Sequence, residues 1–136
     1  MAVTALIGLL AALAVPKYGA LIERARVAKA IGDLKALQTD LQSQDSLPLT
    51  LAAINRHTML DPWGRPYVYY KFPPTKGKAL PPGSRKDKFL VPVNSDFDLY
   101  SRGKDGASAL AFTAKPSHDD VVRANDGGFI GLAKNF

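Results

Sequence analysis

The 136-residue chain contains no cysteine. That absence removes disulfides, thiolate metal sites and cysteine nucleophiles together, so a fold exported to an oxidising compartment would need another staple. The two histidines, His57 and His118, stand far apart and outside any H-E-x-x-H arrangement, and no G-x-S-x-G or phosphate-cradling glycine motif occurs. Ser117, His118 and Asp119 are adjacent in sequence, which is not how a catalytic triad is assembled. On this inventory the chain is not expected to be an enzyme. What is present is ordinary for a folded protein, 46% hydrophobic and 22% charged, and the length suits one compact domain with an appendage.

The first fifteen residues, Met1 to Val15 (MAVTALIGLLAALAV), carry no charge at all. Fifteen helical residues rise about 22 Å, less than the roughly 30 Å of a hydrocarbon core, so a full span needs the apolar run to continue past Pro16. It does so through Tyr18, Gly19, Ala20, Leu21 and Ile22, and the first cluster of charge comes at Glu23, Arg24 and Arg26. A signal peptide would have a basic segment before the apolar run and a small-residue cleavage site after it. Here no basic residue precedes the run and the charged segment keeps helical periodicity. Val27, Ile31, Leu34, Leu37 and Leu41 recur every three or four positions while Arg26, Lys29, Asp33 and Asp40 take other faces, which predicts an amphipathic helix. A single stem of about 40 residues, roughly 60 Å long, follows, with a kink or one opened turn expected at Pro16. The division is then 1–41 as stem, with 1–22 its membrane or filament-core half, and 42–136 as head.

The net charge is +6, and nearly all of it sits in one place. Between Lys71 and Lys88 six basic residues (Lys71, Lys76, Lys78, Arg85, Lys86 and Lys88) oppose only Asp87. Pro73, Pro74, Gly77, Pro81, Pro82 and Gly83 forbid a helix there, so the segment reads as an exposed loop. No aromatic residue is interleaved with the lysines between Pro73 and Lys88, as a nucleic-acid surface would require. No specific nucleic acid is expected as a partner.

In the head, Leu51 to Ile54 suggests a short second helix ending near Asn55. Asp61-Pro62-Trp63-Gly64 marks a tight turn, and Tyr67, Val68, Tyr69, Tyr70 and Phe72 form a strand pattern. Lys88 to Val93 and Phe97 to Ser101 read as further strands, and Gly127 to Leu132 as a final turn and strand. Trp63 is expected in the core. The fold class is α+β, a long N-terminal helix against a small antiparallel sheet.

Two stretches resemble a known family. GLLAALAVPKYGALIERARVAKA, Gly8 to Ala30, is similar to the N-terminal helix of type IV pilins and pseudopilins: Gly8, Ala11-Ala12, Pro16 and Lys17-Tyr18 fall at that family's spacing. DPWGRPYVYY, from Asp61, and SDFDLYSRGKDG, from Ser95, resemble the turn, Tyr-rich strand and following segment in the head of the major pseudopilin of type II secretion systems. The resemblance implies a pilin-like fold anchored by one helix in the bacterial inner membrane, with its head in the periplasm. It implies that Gly8, Leu9, Leu10, Ala11, Ala12 and Pro16 then pack against other copies in the core of a filament that drives protein export, in the periplasm or at the cell surface. The implied partners are further copies, other pseudopilins or minor pilins, and an inner-membrane assembly platform. The alternative is a type IV pilin or minor pilin for adhesion, motility or DNA uptake. The family's basic leader, methylated Phe and early Glu do not precede Met1 in this sequence.

Half of the acidic residues, Asp96, Asp98, Asp105, Asp119, Asp120 and Asp126, fall within 31 positions of turn-rich sequence. Calcium takes six to eight oxygens and suits such a loop, with Gly103 and Gly106 to bend it. The spacing matches no EF-hand, and aspartates also make turns and caps. The resemblance implies a calcium ion held by Asp105, Asp119 and Asp120, with the carbonyls of Arg102 and Arg123 completing the shell. Ala107 to His118 (ASALAFTAKPSH) is more apolar than the family's loop.

Overall fold

In the computed structural model side chains are described from Lys17 to Phe136 and the backbone from Ala2. The expected kink or opened turn at Pro16 and the expected packing residues Gly8, Leu9, Leu10, Ala11, Ala12 and Pro16 therefore lie outside the described side chains. Helix α1 spans Ala2–Gln42. Its periodic residues do what their spacing requires: Ala30, Leu34, Leu37 and Leu41 are buried, and Val27 and Ile31 pack at the edge of the same cluster. Truncating one such leucine to alanine typically costs about 2–5 kcal/mol. Among the described residues no helix is long and apolar enough to cross a membrane.

Four short strands, β1 (Val68–Lys71), β2 (Phe97–Ser101), β3 (Val121–Ala124) and β4 (Phe129–Leu132), form one antiparallel sheet in sequence order. The architecture is thus α+β, one helix against a four-stranded sheet. Leu51 to Ile54 is a single 3₁₀ turn closed by Asn55 in the left-handed region. The central strand β3 is buried along its whole length because both faces of the sheet are covered. Alternation sends Val121 towards the helix, in one cluster with Phe97 and Leu99. Val122 and Ala124 face the other way, into a second cluster with Val93, Phe112 and Ala133.

Two expectations are corrected. Lys88 to Val93 is not a strand but an irregular loop: a turn closes from the Asp87 amide to the Leu90 carbonyl at 2.9 Å, and Phe89 is left 93% exposed. Pro92 has no amide to give to a ladder, which removes the run from any sheet interior. The basic segment is a solvated loop over 73–80, yet Arg85 within it is only 2% exposed.

The β3–β4 turn meets the helix closely. Gly127 has φ +96°, a conformation strained for any residue with a Cβ, and it packs against the end of the Gln38 side chain. Further polar ties join helix and head: Tyr67 Oη donates to Asp33 Oδ2 at 2.6 Å and Trp63 Nε1 to Glu23 Oε2 at 3.3 Å. Trp63 itself is half-buried against the core.

Candidate metal centre

The 19 residues between β2 and β3 bring three carboxylates together. At the exit of β2 the chain turns through Gly103 (φ +66°), where a Cβ would strike the Asp119 carbonyl at 2.1 Å. Only glycine lets the two backbones approach so closely. The Asp61-Pro62-Trp63-Gly64 turn holds this corner from outside. Asp61 Oδ1 accepts the amides of Trp63 and Arg65, and Oδ2 accepts the Ser101 hydroxyl at 2.6 Å. Ser101 Oγ in turn accepts the Gly103 amide, and Arg65 Nη1 donates to the Gly103 carbonyl at 2.9 Å. The Asp61 turn and the segment at the end of β2 are one hydrogen-bonded unit.

On that corner Asp105, Asp119 and Asp120 each place a carboxylate oxygen within 4.8 Å of the others. Asp105 is exposed, Asp119 half-buried and Asp120 fully buried. Asp119 Oδ2 accepts the Asp105 amide at 2.9 Å, and Asp105 Oδ1 accepts the Ala107 amide. Asp120 Oδ2 accepts from Arg85 Nη2 at 2.9 Å and from the Ser108 hydroxyl. The remaining oxygens, Asp119 Oδ1 and Asp120 Oδ1, are buried without a hydrogen-bond partner. Burial pushes the Asp120 carboxyl up to about 6, against the pull of Ser108 and Arg85. Burial also raises Asp119, and the neighbouring charge of Asp105 adds to it. Buried oxygens left bare are costly, and a hard cation with oxygen ligands is a physical remedy.

The other two expected ligands stand differently. Arg102 is exposed just past β2 and lines a surface cleft with Arg65 to Tyr69. The Arg123 carbonyl accepts from Asn94 Nδ2 at 3.0 Å, and its guanidinium is buried on the helix side of the sheet. Residues the sequence did not point to are Arg85, Ser108 and Ser101, and Asp61 was read only as part of a turn; a lone arginine in a lysine loop and single serines give no periodic signal. His57 and His118 are both exposed. Asp96 pairs with Arg123 and Asp126 caps Ser95, so neither joins the cluster. Asp98 is buried elsewhere, accepting from the Arg85 amide and Asn94.

No family model, curated protein or solved structure matches this chain.

Proposed function

We propose that the chain is a structural subunit of a type II secretion pseudopilus, with no enzymatic role, anchored in the inner membrane through residues 1–22 and carrying its head in the periplasm. The observation that carries this reading is the division of α1. The side chains from Lys17 to Ile22 are all exposed, Tyr18 and Leu21 among them, whereas the head covers the helix from Glu23 onward. An apolar helix that continues beyond its own head calls for a bilayer or for neighbouring helices. The family resemblance of Gly8 to Ala30 and of the two head segments supplies the rest. Deleting Met1 to Ile22 should abolish self-assembly, followed by sedimentation and electron microscopy, while the head stays folded. Filaments formed by the shortened chain would overturn the reading.

Within this reading the three aspartates hold calcium. They fit it: the donors are all oxygens, and two of them are buried and unpartnered. Bound there, the ion would crosslink the loop between β2 and β3, a task that a disulfide cannot perform in a chain without cysteine. A type IV pilin for DNA uptake is the second reading, favoured by the exposure of Lys76, Lys78, Lys86 and Lys88. Salt-sensitive DNA binding lost on substituting those lysines would favour it.

A further inference from the structure

The helix leaves the head at a definite level. Lys17 to Ile22 are exposed, and Glu23 is the first partly covered residue, held by Trp63 and by Arg26 at 2.7 Å. Beside Glu23 lies a cavity of about 230 Å³ whose polar wall includes Lys104, His118, Asp119 and Lys134. Lys104 and Lys134 are exposed, and among the described residues no carboxylate comes within ion-pair distance of either. Lys17 and Arg24 are seven residues apart, two helical turns, and therefore share one face of the stem. They are also exposed, and neither has an ion-pair partner among the described residues. Arg24, Lys104 and Lys134, unpaired, thus lie where the stem emerges, beside Glu23 or Leu132, and Lys17 stands two turns farther out on the stem. Of the nearby carboxylates, Glu23 pairs with Arg26, Asp119 accepts the Asp105 amide through Oδ2 alone, and the exposed Asp105 accepts the Ala107 amide. Tyr18, 67% exposed, stands on the stem just beyond this level. An aromatic with a polar tip at that height is what a membrane–water boundary favours.

We propose that this rim, built from Lys17, Arg24, Lys104 and Lys134, docks the head on the phosphates of anionic phospholipids. The inference rests on the anchoring of residues 1–22 proposed above, which brings the rim to headgroup height. Rim-to-rim contact with a second copy is disfavoured, because the same charges would face one another. Each lysine near an anionic surface favours the docked state about fivefold, so reversing two cuts the docked ratio about twenty-five-fold or more.

Trp63 is the only tryptophan and lines the same cavity. Its fluorescence in the full chain, reconstituted in vesicles carrying a headgroup-labelled quencher lipid, reads docking directly. Quenching should be stronger in phosphatidylcholine vesicles that contain phosphatidylglycerol than in phosphatidylcholine alone, and should weaken as salt rises. The variant Lys104→Glu/Lys134→Glu should lose that preference. Lys76→Glu/Lys78→Glu, the same charge change in the distant-in-sequence loop, should keep it. Equal quenching in both vesicle types, or equal loss in the two variants, would overturn the rim while leaving the anchor intact. A chain that floats with neither vesicle would overturn the anchor, and the rim with it.

Discussion

Two arginines are buried on opposite faces of one sheet, and they are finished differently. Arg123, on the helix side, stacks on the Phe97 ring at 3.9 Å and bonds through all three nitrogens, to Gln38, to the Phe97 carbonyl and to both oxygens of Asp96. Arg85, on the far side, stacks on Tyr100 at 4.1 Å and reaches Ser108 and Asp120, but its Nε is buried without a partner. Its acid is also incomplete, since Asp120 Oδ1 is bare. Buried polar groups that fix a fold are normally satisfied in full. Arg123 therefore reads as a clamp between helix and sheet, and the Arg85–Asp120 network as the one that leaves buried polar atoms unpaired.

The largest effect should separate the two. Arg85→Met strands the fully buried Asp120, and losing one partner of a buried ion pair costs about 3–5 kcal/mol. Arg123→Met should cost less, because Asp96 is 30% exposed and can rehydrate. Adding Asp120→Asn should restore part of the Arg85→Met loss. Urea midpoints of the three variants decide the matter, and a larger loss at Arg123 would break the distinction. Leu37→Ala, in the apolar seam beneath Arg123, should cost about 3 kcal/mol and leave the far side untouched.

Legibility in the sequence follows the same split. The helix side was readable because Leu34, Leu37 and Leu41 keep a 3.6-residue period and Tyr67 to Tyr70 a strand pattern. Strand β3 was not, since Val121-Val122-Arg123-Ala124 is buried on both faces and so shows no alternation of polar and apolar residues. Lys88 to Val93 misled in the opposite way, its apolar residues mimicking a strand that Pro92 prevents. In the candidate site clustering offered six aspartates, and only the family resemblance singled out Asp105, Asp119 and Asp120. Arg85 could not, because its burial depends on Asp98 and Asp120, 13 and 35 residues away.

A third effect is intermediate in size and confined to the open network. Calcium at about a hundred times its dissociation constant would stabilise the native chain by about 2.7 kcal/mol, visible as a raised thermal midpoint that a chelator reverses. Asp119→Ala should abolish the rise, and Arg123→Met, which leaves all three aspartates in place, should retain it. A calcium response that survives Asp119→Ala would place the ion elsewhere.

The smallest expected effect tests the closed side. Tyr67→Phe removes one hydrogen bond from helix to head, worth about 1 kcal/mol at neutral pH. Tyr70→Phe, whose hydroxyl meets the Pro82 carbonyl in an exposed position, should cost less. At high pH the Tyr67→Phe variant and the parent should draw together. Burial, then Asp33, raises the Tyr67 phenol far above its ordinary value, and burial pushes Tyr69 up to about 12. The unfolded chain releases these protons near pH 10 while the fold keeps them. The unfolded state then binds fewer protons, so this stabilisation is complete below about pH 10 and is lost as pH climbs towards 12 and beyond. Tyr67→Phe should make that alkaline loss shallower than in the parent. Equal slopes in parent and Tyr67→Phe would mean that the tie between Tyr67 and Asp33 does not hold helix to head in solution.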